Sequence, residues 1–305
     1  MKLIEQRADP FIYRHSDGKY YFTATVPAYD KIELRISDTI EGLANAKPQV
    51  VWQKHETGPT SQLIWAPEIH FVWGKWYIYF AAAETKKMHP EHNTFQHRMY
   101  ALEADCPQGP WREVGQICTH METFCLDATV FEHRGVLYYC WAQKDPDING
   151  NSNIYIAKME SPTKLISTPV MLTKPEYDWE CSVIPVAEGP AVLKYGDKIF
   201  IAYSANATGT EYCVGLLTAN ESSDLLNPSS WEKSPKPVFG TCEKSGRFGP
   251  GHNSFTVDEA GRPVLVYHAR EYAEIEGDPL DNPDRHTFIK PFDFNENGYP
   301  EWLDV

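Results

Sequence analysis

The chain has 305 residues, of which 42% are hydrophobic and 13% aromatic, with a net charge of −14. That acidity excludes nucleic acid and anionic membrane surfaces as main partners. No apolar run reaches the roughly 18 residues of a membrane-spanning helix, and seven cysteines without metal-like spacing do not form a disulfide framework.

The first residues, MKLIEQRADPF, hold no apolar stretch of the kind found in secretory leaders. With the odd cysteine count, this sets the expectation of a cytoplasmic protein. From residue 9 onward one pattern recurs five times: a short apolar run, a turn containing glycine, then a run rich in β-branched and aromatic residues. The copies are residues 9–22 (DPFIYRHSDGKYYF), 66–80 (APEIHFVWGKWYIYF), 127–140 (DATVFEHRGVLYYC), 188–203 (EGPAVLKYGDKIFIAY) and 252–267 (HNSFTVDEAGRPVLVY). Their turn glycines are Gly18, Gly74, Gly135, Gly196 and Gly261, which follow the opening residues by 9, 8, 8, 8 and 9 positions. Successive opening residues are 57, 61, 61 and 64 apart. Hairpins repeated at such a period through the whole chain predict an all-β fold, a five-bladed β-propeller occupying residues 1–305 as one catalytic domain. A blade cannot bury its faces alone, so no division into two domains is expected. Polar connections at 86–96, 146–152, 227–237 and 276–284 are long enough to be loops at the blade ends.

Equivalent positions of successive blades encircle the propeller axis, so the opening residues should ring one mouth. The ring would hold Asp9, Ala66, Asp127, Glu188 and His252. Three carboxylates converging in one concave site suit glycoside hydrolysis, in which one carboxylic acid protonates the leaving oxygen and an ionised partner activates water. Crowding of like charges is one way to keep the acid protonated. Around that mouth, Trp65 is placed to stack on a sugar ring, and Glu68 and His268 to face the same side as the ring residues. A structural salt bridge is the competing reading for Glu68. Glu180, in a Glu-Cys pair like that of the fructan-hydrolysing propellers, lies 16 residues before Gly196 and reads as a loop or rim residue. The histidines at 89, 92 and 97 lack zincin spacing and read as a solvated loop.

The segments ADPFIY (8–13), WAPEIH (65–70), LDATVF (126–131), AEGPAVL (187–193), GPGHNSF (249–255) and YHAR (267–270) together resemble glycoside hydrolase family 43. The resemblance implies that Asp9 is the general base, Glu188 the general acid and Asp127 the residue that tunes and orients it, with inversion at the anomeric carbon. It also implies that Arg270 contacts sugar hydroxyls and that His252 helps to hold hydrated calcium or a similar divalent ion. The expected activity is exo-release of L-arabinofuranose from α-1,5-linked arabino-oligosaccharides, in arabinan or xylan degradation. The alternatives are a β-xylosidase, a bifunctional xylosidase/arabinofuranosidase, or a non-catalytic sugar-binding propeller.

Overall fold

The structure, a computed structural model, describes residues 1–302; positions 303–305 of the expected domain lie outside the described residues. A short strand, β1 (Lys2–Ile4), precedes the first blade. Blade I comprises β2 (Ala8–Arg14), β3 (Tyr20–Thr25), β4 (Lys31–Ser37) and β5 (Gln49–Gln53). Blade II follows with β6 (Gln62–Val72), β7 (Lys75–Ala83), β8 (Arg98–Ala104) and β9 (Arg112–Gln116). In blade III, β10 (Cys125–His133), β11 (Val136–Gln143) and β12 (Asn153–Ser161) carry two short outer strands on β12, β13 (Lys164–Leu165) and β14 (Val170–Thr173). Blade IV has β15 (Ala187–Tyr195), β16 (Lys198–Ala205), β17 (Cys213–Asn220) and β18 (Glu232–Lys233).

Blade V draws on both ends of the chain. Its inner strands are β19 (Phe248–Val257), β20 (Pro263–Arg270) and β21 (His286–Pro291), and its outer strand is β1. The N-terminal strand thus closes the ring and covers an edge that would otherwise remain open to pairing. The apolar cores lie between neighbouring blades. One of them joins Leu3 and Ile4 of β1 and Val264, Val266 and Ile289 of blade V to Ile12, Tyr20 and Phe22 of blade I. The five-bladed propeller read from the hairpin repeat is therefore the architecture found.

Every innermost strand carries the same irregularity. Its pairing with the second strand slips by one residue, between Ala8 and Phe11, Trp65 and Glu68, Leu126 and Thr129, Glu188 and Ala191, and Gly251 and Ser254. The residue opening each bulge is left-handed: Asp9 (φ 52°), Ala66 (φ 45°), Asp127 (φ 55°), Gly189 (φ 56°) and His252 (φ 42°). This corrects the alignment of the fourth repeat, because the counterpart of Asp9 and Asp127 is Gly189, not Glu188. Glu188 instead stands where the other blades have Ala8, Trp65, Leu126 and Gly251. The turn glycine misled the count, since the blade IV hairpin is one residue shorter between bulge and turn.

Closure by β1 sets a stability prediction. Ile4→Ala removes a buried side chain from the seam between blades V and I and should cost about 2–4 kcal/mol. Urea denaturation checks this, and an unchanged midpoint would show that β1 does not hold the ring shut.

Candidate active site

A cavity of about 730 Å³ opens at the mouth where the bulges meet, and residues from all five blades line it. Three of the four long connections help to build its walls: 86–96 supplies Lys86, Met88 and Phe95, 146–152 supplies Asn151, and 276–284 supplies Asp278, Pro279 and Leu280. The fourth, 227–237, supplies none of the lining and instead forms β18 on the outer edge of blade IV.

Asp9 is buried at the floor of this cavity and braced from three blades. Thr25 at the end of β3 donates to its Oδ2 at 2.5 Å, and the Ala66 N–H of blade II donates to Thr25 Oγ1 at 2.7 Å. From blade V, His268 Nδ1 accepts the Asp9 N–H at 3.0 Å. His252 Nδ1 lies 3.3 Å from Asp9 Oδ1, and Arg285 Nη1 lies 3.6 Å from the same oxygen. Burial alone would raise the Asp9 pKa, yet His252, His268 and Arg285 together hold it well below the usual carboxylate range. Burial also lowers both histidines, His268 to about 3. At neutral pH the His268 imidazole is therefore neutral, and Arg285 stands beside Asp9 as a permanent cation.

Asp127 and Glu188 are shifted the other way. Asp127 is buried and pushed well above its ordinary value by that burial, then by the charges of Glu188 and Asp9. Its Oδ2 accepts the Gly189 N–H at 3.2 Å and lies 3.7 Å from His252 Nδ1. Glu188 is partly exposed to the cavity, and burial and the charge of Asp9 raise it to about 7 against the lowering effects of Tyr212 and Arg285. Tyr212 donates its phenol proton to Glu188 Oε1 at 2.8 Å. Glycine at 189 relieves the left-handed backbone and leaves room for the His252 ring, whose Cγ would lie 3.2 Å from an added Cβ.

The remaining expected residues divide. Trp65 lines the cavity, but His97 covers one of its faces at 4.0 Å between ring centroids. His97 itself is fully buried and hydrogen-bonded to Leu63 O, so the histidine-rich stretch is not solvated throughout. Ala66 contributes its backbone N–H to Thr25, and its side chain is not part of the lining. Glu68 is held by His70 Nε2 at 2.8 Å and does not line the cavity, because the bulge breaks the alternation on which that placement relied. His268 lies beneath Asp9 rather than at the surface of the cavity.

Arg270 is also placed away from the cavity. Its guanidinium donates to Thr208 O, Pro279 O and Asn282 Oδ1, holding two cavity-wall segments together from behind. Glu180 sits in a one-turn helix, α1 (Asp178–Cys181), and is fully buried against Lys233 at 2.8 Å and Tyr203 at 2.8 Å. It is a structural ion pair rather than a rim residue. Arg285, Tyr212, Thr25 and Ser204 were not singled out in the sequence. Thr25 and Ser204 end second strands, whereas Arg285 and Tyr212 precede β21 and β17, outside the hairpin on which the repeat was read.

A propeller whose mouth holds one carboxylate with its pKa lowered and a second with its pKa raised to about 7 has the pair that a glycoside hydrolase site requires. The profile of glycosyl hydrolases family 43 matches residues 3–300, and the chain belongs to that family. It is 48% identical over 98% of its length to a Streptomyces avermitilis protein named extracellular exo-α-(1→5)-L-arabinofuranosidase. The chain spans 62% of the length of that relative. A Streptomyces chartreusis protein of the same name is 50% identical over 91% of this chain and 84% of its own length. The crystal structure of an α-L-arabinofuranosidase from Lactobacillus brevis superposes with a TM-score of 0.96 at 56% identity, covering 99% of this chain and 95% of that one. The expectation of a cytoplasmic location is overturned here, because both Streptomyces relatives are named extracellular. Neither the start of a chain nor an odd number of thiols decides a compartment.

The residues around His252 do not form a cage for a hard cation. Its Nδ1 faces Asp9 and Asp127, and a lone imidazole is a poor ligand for calcium. Among the described residues, the one group of three mutually close ligating atoms is His89, Glu91 and His92, so an ion at His252 would take most of its ligands from water. Protein stripped of metal with EDTA is therefore expected to keep its turnover. A loss that added calcium restores would show that an ion at this mouth supports the carboxylates.

Proposed function

We propose that the protein is an inverting, exo-acting hydrolase that releases L-arabinofuranose from α-1,5-linked arabino-oligosaccharides. The observation that carries this reading is the opposed ionisation of Asp9 and Glu188 at one cavity. Glu188, still protonated near neutral pH, gives its proton to the glycosidic oxygen as the bond to the anomeric carbon breaks. Asp9 takes a proton from the water that attacks that carbon from the opposite face. Asp127 fixes the peptide immediately after the acid through the Gly189 N–H, which favours an orienting role. Its burial and the charges of Glu188 and Asp9 raise its own pKa, so the two groups titrate together.

The arabinose preference draws on the names of the two Streptomyces relatives and the Lactobacillus brevis structure. A solved xylan β-1,4-xylosidase from Bacillus halodurans, 18% identical with a TM-score of 0.72, shares the fold alone. A non-catalytic sugar-binding propeller would have no use for a carboxylate kept protonated beside one kept ionised.

Linear α-1,5-arabinotriose should yield arabinose and arabinobiose at early times, with xylotriose untouched and the inverted anomer appearing first by NMR. Xylose release with the arabinan oligomer intact would move the protein to the xylosidase reading, and silence on both to the binding reading. The pH profile follows from the same pair. Because the acid must be protonated, kcat/KM should fall as pH rises through about 7. Asp9 stays ionised far below that, so no acidic limb belonging to the base should appear in the neutral range. A profile flat from pH 6 to 9 would remove Glu188 from the acid role.

A further inference from the structure

The acid assigned to Glu188 is held by a group that lies outside the carboxylate set. Tyr212 is fully buried, and its hydroxyl donates to Glu188 Oε1 at 2.8 Å. Ser204, near the end of β16, accepts the His252 N–H at 2.6 Å and lies close enough to the Tyr212 hydroxyl to act on it. The Glu188 carboxylate is the acceptor of the phenol proton. The Tyr212 ring lies flat on the His268 ring, with centroids 5.6 Å apart and planes inclined by 2°. His268 in turn accepts the backbone N–H of Asp9.

The chain also leaves a space at Gly251 that this ring and the Ser204 hydroxyl fill. Gly251 is not left-handed, so its backbone does not demand glycine. A Cβ there would lie 2.3 Å from Tyr212 Cε1 and 2.5 Å from Cδ1. The missing side chain makes room for the aromatic ring.

We propose that Tyr212, stacked on His268, is the positioning residue of the general acid, and that the stacked pair sets the placement of Glu188 relative to Asp9. The proposal rests on the acid and base roles assigned above. It accounts for three features at once: glycine at 251, a buried tyrosine aimed at a carboxylate, and a histidine engaged with the backbone of the base. The other groups facing Glu188 are Asp9 and Arg285, with Asp127 beyond the Gly189 peptide. None of them holds a Glu188 oxygen by a hydrogen bond as Tyr212 does.

Leaving-group dependence separates this role from simple packing. A sugar leaving group needs the acid's proton, whereas 4-nitrophenolate departs with little help. Tyr212→Phe keeps the ring and its stacking but removes the donor. It should lower kcat on arabinobiose about 10–100-fold, the usual cost of a misplaced catalytic group. On 4-nitrophenyl α-L-arabinofuranoside the loss should be several-fold smaller. The lost hydrogen bond favoured the ionised acid, so the alkaline limb of kcat/KM should move to higher pH.

Gly251→Ala pushes the same ring aside and crowds Ser204 Oγ while keeping the Tyr212 hydroxyl, and it should reproduce the leaving-group bias. If Tyr212→Phe lowers both substrates equally or leaves the alkaline limb in place, the proposal is overturned. If Gly251→Ala melts like wild type and shows no bias, it is equally overturned. Glu188→Gln is the control on the acid role itself. If it too shows no leaving-group bias while wild type hydrolyses both substrates, the assignment of Glu188 fails rather than that of Tyr212.

Discussion

The site depends on one backbone contact repeated around the ring: the N–H of a left-handed bulge residue donating to a side chain of the preceding blade. Ala66 donates to Thr25, His252 to Ser204 and Asp9 to His268. Thr25, Ser204 and His268 are equivalent, since each lies opposite the residue just before its own blade's bulge. Blades II and III carry Ala81 and Ala142 there, which have no acceptor. At the junction of blades III and IV the contact is made by Asp127 itself, through the Gly189 N–H. A left-handed conformation costs a non-glycine residue about 1–2 kcal/mol. Four of the five bulges bear that cost, and at three of them, Asp9, Ala66 and His252, the contact with the preceding blade holds the conformation in place. Seam and site are therefore one construction, and a blade displaced along its seam would carry a catalytic group with it.

The electrostatics follow from the same closeness. Four ionisable groups, Asp9, Asp127, His252 and His268, are buried around the mouth. Desolvation favours their neutral forms, and for three of them it prevails. Asp9 is the exception because His252, His268 and Arg285 together outweigh its burial. Arg285 is also anchored to Tyr29 of blade I, with Nη2 3.1 Å from the hydroxyl, so the cation is fixed by the blade that supplies the base.

How much of this was legible in the sequence depends on what the period could see. Hairpins separated by turn glycines carried the blade count, the order of the blades and the convergence of Asp9, Asp127, Glu188 and His252. The repeat could not show the bulge, because an inserted residue leaves the apolar pattern on either side unchanged. That is why Glu188 was aligned one position away from its counterparts, and why Glu68 was placed at the mouth. Arg270 was marked by its position at the end of a strand. Arg285, which faces the base, lies after a long connection with no repeated neighbour to give it away. Tyr212 had a signal of a different kind, a glycine at 251 with no turn to explain it, which becomes readable only once the two segments are seen in contact.

The one-residue offset in blade IV also explains how acid and base come to differ. A residue opening a bulge is pinned at its own backbone by the preceding blade, and its side chain is buried, as Asp9 is. Trp65, Leu126 and Glu188, each just before a bulge, line the cavity as Asp9, Asp127 and His252 within theirs do, and of the acid and base it is Glu188 that is the more exposed. A base that activates a small water molecule tolerates burial and gains from a fixed position. An acid that must reach an oxygen within an oligosaccharide needs a longer side chain and a partly open position. Glutamate before the bulge and aspartate within it meet those two demands on a scaffold that is otherwise the same in both blades.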